Sequence, residues 1–135
     1  WIARPTDQRY SFNILFQDFL KNNESYQVHL NLAFAHGLPY GPPGYPQWRN
    51  FLRVAPYRRV DMGFSKVLFD KSTSKSPSKV LGYTDRVSLS IEVFNLFGIR
   101  NTVSFLWVKD IYNRQFAVPS YLTSRRFNLQ LSVRL

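Results

Sequence analysis

Two histidines, His29 and His36, and eight carboxylates are all that the chain offers for acid–base or metal chemistry, since it contains no cysteine. Their odd spacing sends the two histidines to opposite faces of a strand, so they cannot share a metal ion. His29 is expected to hydrogen-bond on the polar side. No Gly-x-Ser-x-Gly turn presents a nucleophile, and no phosphate loop or zinc-ligand spacing occurs. Asp61 and Glu92 come with Arg59 nearby in the chain or across strands, a grouping that suits ion pairing better than proton transfer. The expectation is no catalytic residue, no metal site and no cofactor; the chain does not read as an enzyme. Two groups could still act. Tyr40, Tyr45 and Trp48 with Arg49 could stack on and neutralise an anionic or ring-bearing ligand, or pack a stiff proline-rich loop. Arg59, Asp61, Glu92 and Arg134 fall on the polar sides of alternating segments, where a ladder of salt bridges is the simplest expectation.

The elements that must position these residues are strands. Five segments alternate apolar and polar with period two and none follows the helical 3.6 period; they lie near residues 9–19, 26–36, 57–69, 86–108 and 125–135. The last is unbroken. Phe127, Leu129, Leu131, Val133 and Leu135 make one face, and Asn128, Gln130, Ser132 and Arg134 the other. Tyr26, Val28, Leu30, Leu32 and Phe34 repeat the pattern, as do Val60, Met62, Phe64 and Leu68 against Arg59, Asp61 and Gly63. The 86–108 segment is interrupted at Asn95-Leu-Phe-Gly98. Nine to eleven residues is about what a tilted strand needs to cross a bilayer, whereas a soluble strand is more often about 5 to 6 long.

Composition bounds the partners. The 135 residues carry a net charge of +10, 44% hydrophobic and 17% aromatic side chains, which suits anionic surfaces, whether nucleic acid or lipid head groups. No run approaches the 18 apolar residues of a membrane-spanning helix. For nucleic acid, aromatics that stack on bases should share a face with Arg and Lys; here they sit mostly opposite the charges. Connections come in two styles, the short polar Lys21–Ser25 turn and the Lys/Ser stretch 71–79 on one side, and the aromatic, proline-rich loops 36–56 and 110–124 on the other. Outer-membrane barrels have that asymmetry of ends. Five strands cannot close such a barrel, which uses eight or more, so the chain, which starts at Trp1, reads as a fragment. A partly open soluble barrel or small sandwich explains the same period.

The segment Leu89-Ser-Ile-Glu-Val-Phe-Asn-Leu-Phe-Gly-Ile-Arg-Asn-Thr102 resembles the penultimate strand of TonB-dependent outer-membrane receptors, where an alternation runs into an Asn-Leu-Phe element before a closing alternating strand. Gly37–Pro43, Pro56–Phe64, Arg4–Gln8 and Tyr112–Arg126 look like the late-barrel region of such receptors from Bacteroidetes-type bacteria. The resemblance covers essentially the whole chain but only the end of the family's architecture.

It implies an all-β, antiparallel up-and-down transmembrane β-barrel fragment, about five strands forming the last staves of a twenty-two-stranded barrel, with residues 1–135 as its C-terminal part. The implied function is TonB-coupled uptake of a nutrient, such as an iron-siderophore or an oligosaccharide, across the outer membrane of a Gram-negative bacterium. Implied partners are the rest of the barrel and the plug domain, the TonB complex through a missing N-terminal part, outer-membrane lipids and the barrel-assembly machinery, with no nucleic acid. Arg59, Asp61, Glu92 and Arg134 would face the lumen or the plug, and the extracellular loops would carry Tyr40, Tyr45, Trp48 and Arg49. Phe127, Leu129, Leu131, Val133 and Leu135 would form the C-terminal assembly signal, although the family usually ends on an aromatic and Leu135 is not one. A plug-free barrel with a structural or porin-like role, and a soluble basic β-barrel that binds nucleic acid, remain as alternatives.

Overall fold

A computed structural model describes residues 2–21, 23–71 and 84–135. Within these residues the chain is all-β and its sheets are antiparallel, with one 3-10 turn, Pro46–Trp48, and no α-helix. Nine strands occur in chain order: β1 (Ser11–Leu20), β2 (Asn23–Ala35), β3 (Pro39–Tyr40), β4 (Leu52–Arg53), β5 (Tyr57–Asp70), β6 (Arg86–Phe94), β7 (Thr102–Lys109), β8 (Gln115–Tyr121) and β9 (Arg126–Arg134). The five long alternating strands join in one sheet of order β1-β2-β5-β6-β9, while β3-β4 and β7-β8 are separate two-stranded sheets. Trp1, Asn22 and all but the first residue of the Lys/Ser stretch lie outside the described residues.

Two expectations need correction. The alternation over 86–108 is not one strand but two, β6 and β7, which belong to different sheets. The break has a backbone cause, because Asn95 (φ 53°) and Gly98 (φ 64°) both take the left-handed conformation that ends a strand and that Asn and Gly tolerate best. The segment 110–124, expected as a loop, contains β8, paired with β7 over Leu106–Val118 and Val108–Phe116. Alternation is hard to see there because the strand is short and Ala117 and Pro119 separate Phe116, Val118 and Tyr121 without polar beats.

The chain divides into two compact units, one made of Trp1–Ile14, Leu32–Arg59 and Phe97–Ser124 and the other of Leu15–Asn31, Val60–Leu96 and Arg125–Leu135. In the second, register fixes the faces. Met62, Val93 and Phe127 form one cross-strand row, Phe64, Ile91 and Leu129 the next, and Lys66, Leu89 and Leu131 a third. A bulge between Val67 and Phe69 adds a residue to β5. It shifts the beat so that Phe69 joins Val87 and Val133 on the same face, keeping Asp70, Arg86 and Arg134 on the other.

In the first unit, the hairpin of β3 and β4 is tied down from its base. Arg53 donates to the Asp7 carboxylate and carbonyl and to the Gly37 carbonyl (2.9 Å and 3.2 Å for the two carbonyls). Val54 N–H donates to Leu38 O at 3.0 Å. Asn101, 5% exposed, imitates a strand partner for Arg58, its amide oxygen taking the backbone N–H at 2.9 Å and its NH2 reaching the carbonyl at 2.7 Å. The β7–β8 turn closes on Asp110. Partial desolvation raises its pKa, but the backbone N–H and guanidinium of Arg114 and the N–H of Tyr112 outweigh this and hold the carboxyl below its ordinary value.

Burial is inverted relative to a soluble domain. Among the described residues the buried apolar side chains are the small Ala35 and Pro39, and no large side chain is fully buried. The buried polar residues are Asp61, Thr84, Asn95 and Asn101. Apolar burial is the main force that favours folding in water, and these strands scarcely use it on their own.

Candidate functional site

The apolar face is the most distinctive surface. On β2 it reads Tyr26, Val28, Leu30, Leu32, Phe34, aliphatic in the middle and aromatic at both ends. Each end sits in an aromatic cluster. Phe34 stacks on Tyr10 with centroids 5.9 Å apart, and Tyr10 also meets Phe12 and the edge of His36. At the other end Tyr26 packs on Phe64 at 5.6 Å, and the ammonium of Lys66 stands 4.8 Å from the centre of its ring. Elsewhere on this face the side chains range from half-buried, as at Leu30 and Leu89, to open, with Leu129 69% exposed and Ile91 47%.

The polar face carries a knot of short contacts in the second unit. The ring of His29 stands against Gly63, where a Cβ would come to 2.0 Å from the ring. Its Nε2 stands 3.5 Å from Glu92 Oε1, and Asn128 Nδ2 donates to Glu92 Oε2 at 3.1 Å. One register step further, Ser65 and Ser90 share a hydrogen bond of 2.9 Å. Asp61, 8% exposed, accepts the backbone N–H of Asn95 at 2.8 Å, and Leu96 N–H reaches Val60 O at 2.7 Å. The Asn-Leu element is thus the point at which β6 leaves the sheet with its backbone donors satisfied.

The four charges expected to form a ladder are therefore not one array. Arg59 and Asp61 share a face of β5, and Glu92 is engaged by His29 and Asn128. Arg134 stands opposite Arg86, itself 3.8 Å from Asp70, six residues along β9 from Asn128 or about 20 Å. Register is the reason, since alternation gives the face but not the row. Among the loop residues, Tyr40 stacks on Phe105 at 4.2 Å and Trp48 meets Phe51 edge-on at 5.3 Å, so packing occupies ring surface there. Tyr45 and Arg49 are exposed, and Arg49 borders a hollow of about 270 Å³ with Asp7 and Arg53. Phe127, Leu129, Leu131 and Val133 lie along β9 on the apolar face, with Leu135 just past its end, 83% exposed. No cluster of three or more potential metal ligands exists among the described residues.

Sequence reasoning missed three partnerships, His29 with Gly63 and Glu92, Lys66 with Tyr26, and Arg53 with Asp7. Lys66 falls on the apolar face by period alone, a legible signal; the partners require register. The His29–Gly63 contact makes a sharp expectation. Gly63→Ala should cost about 1 to 3 kcal/mol by overpacking, and most of that should return when His29→Ala removes the ring. An equal penalty in both backgrounds, read by urea titration, would show that the ring is not the obstacle.

Comparison with known proteins finds no family model, curated protein or solved structure that matches this chain.

Proposed function

We propose that the chain forms the closing staves of a transmembrane β-barrel in a Gram-negative outer membrane, as the C-terminal barrel portion of a TonB-dependent receptor. Such a receptor takes up a scarce nutrient, an iron-siderophore or an oligosaccharide, and these residues act as wall and loops rather than as an enzyme. The observation that carries the membrane part is the aromatic–aliphatic–aromatic face of β2 with a ring cluster at each end. Tyr26 and Phe34 are eight residues apart, about 26 Å along the strand and roughly 20 Å of height at a tilt of ~40°, which suits an apolar band about 25 Å tall between aromatic girdles. The inverted burial supports the same reading, because exposed leucines are costly in water and not in lipid. The receptor part rests on the resemblance of the Leu89–Thr102 segment and the closing strand to that family.

Polar faces with His29, Glu92 and Asn128 would then line a wet lumen, where charges are tolerated. A basic nucleic-acid module gains less support, since most of the Arg and Lys side chains of β6 and β9 stand on the face opposite Ile91, Phe127 and Leu129.

Detergent dependence tests the membrane part. Residues 1–135 are expected to aggregate in buffer and to be held in solution by detergent or a bilayer; a compact monomer in plain buffer overturns the reading. The receptor part is tested upstream of Trp1. A plug domain and several hundred alternating residues are expected in the coding sequence, and a barrel without a plug would leave a porin-like wall.

A further inference from the structure

We propose that Lys66 and Tyr26 form a binding site for the phosphate of a membrane phospholipid, on the part of the apolar face towards the start of β2. The proposal rests on the membrane reading above. Register puts Lys66 on the apolar face, two residues from Phe64 and opposite Leu89, whose own β9 partner is Leu131. Its neighbours in that row are apolar or aromatic. A cation at mid-bilayer is strongly disfavoured, whereas near the interface the penalty almost vanishes because the flexible stem carries the ammonium to the head groups.

One feature puts Lys66 at that interface, and a second leaves its donors available there. Its ammonium stands over the ring of Tyr26, and tyrosine is the residue that favours the head-group level, ring in the apolar layer and hydroxyl in the wet one. Moreover, no carboxylate among the described residues lies within ion-pair distance of Lys66. The ring attracts the charge but accepts no strong hydrogen bond, so the three N–H donors remain for an anion. The anion that a bilayer supplies at this depth is a lipid phosphate, and the Tyr26 hydroxyl is a second donor beside it. Glu24 follows on the same face two residues nearer the strand start, where a zwitterionic head group would bring its ammonium.

The chain has no cysteine, so Leu89→Cys and Ile91→Cys each offer a single fluorophore attachment point within it. In the full-length protein in nanodiscs, nitroxide-labelled lipids then report depth. A head-group nitroxide should quench the label at Leu89 more than one deep in the acyl chain, and the label at Ile91 should show the reverse. In detergent, titration with phosphatidylglycerol should change the Leu89 label saturably. Lys66→Gln should weaken that binding about fivefold, the loss of one interfacial cation, while Lys66→Arg keeps it and diacylglycerol, lacking phosphate, fails to bind. Unchanged affinity in Lys66→Gln overturns the site. Competition by inorganic phosphate as strong as by the lipid also overturns it, by making this a plain anion site. If instead the acyl-chain nitroxide quenches neither label, the membrane reading has failed, a result distinct from failure of the phosphate site alone.

Discussion

On the proposed membrane reading, replacing Leu129 by Arg is expected to destabilise the fold by about 2 to 4 kcal/mol, while Arg at the next position, Gln130, leaves it nearly unchanged. The two side chains differ by one residue and by everything that surrounds them. Leu129 is paired with Ile91 and, through it, with Phe64, all apolar and all substantially exposed. Gln130 is paired with Ser90, which bonds to Ser65 on the polar side. On that reading a guanidinium at 129 would have to leave water for an apolar layer, whereas one at 130 would stay wet. Leu131→Arg should cost less than Leu129→Arg, because Leu131 shares its row with Lys66, a cation the face already accommodates. Urea titration of the protein refolded into lipid vesicles measures all three. A penalty at 130 larger than at 129 would mean that the faces are assigned the wrong way round.

Gly37→Ala is expected to open the base of the β3–β4 hairpin at a cost toward the upper end of the roughly 1 to 3 kcal/mol typical of overpacking. Its Cβ would lie 1.7 Å from the carbonyl oxygen of Val54 and 2.7 Å from that carbonyl carbon. These are backbone atoms with no rotamer to change. The same backbone is held by the Val54 N–H bond to Leu38 and by pairing of Pro39 with Arg53, and Arg53 in turn grips the Gly37 carbonyl. Gly44→Ala is the control, since its Cβ would meet only the Gln115 side chain at 3.7 Å. Limited proteolysis should cut residues 36–56 faster in Gly37→Ala than in Gly44→Ala, because local opening exposes cleavage sites without global unfolding. Equal rates would show that the close approach at Gly37 is not what shuts the hairpin.

Most of the long strands were legible because period two is a local property. The alternation near 26–36 is β2, Asn23–Ala35, and that near 125–135 is β9, Arg126–Arg134. Residues 86–108 read as one element because alternation resumes at Val103 after the Asn95–Gly98 interruption, and nothing in the period says that the chain has changed sheets. The cause of the break was nonetheless in the sequence, as Asn and Gly at the two positions that take positive φ. The candidate sites were less legible. Arg134 looks equivalent to Glu92 in pattern, yet register sets it against Arg86, because a strand's partner is chosen by residues tens of positions away.

The sequence by itself determined that this is an all-β chain of long two-faced strands, with Leu129 and Leu131 on one side and Asn128 and Gln130 on the other. That follows from backbone geometry, which sends neighbouring side chains to opposite faces whatever the partner strand is. Only the tertiary structure decided the rows: Lys66 over Tyr26, His29 over Gly63 and against Glu92, Arg53 on Asp7, and the β5 bulge that returns Phe69 to the apolar face. These depend on cross-strand register and hydrogen bonds between segments far apart in the chain, where a shift of a single residue would exchange every partner and turn each face over.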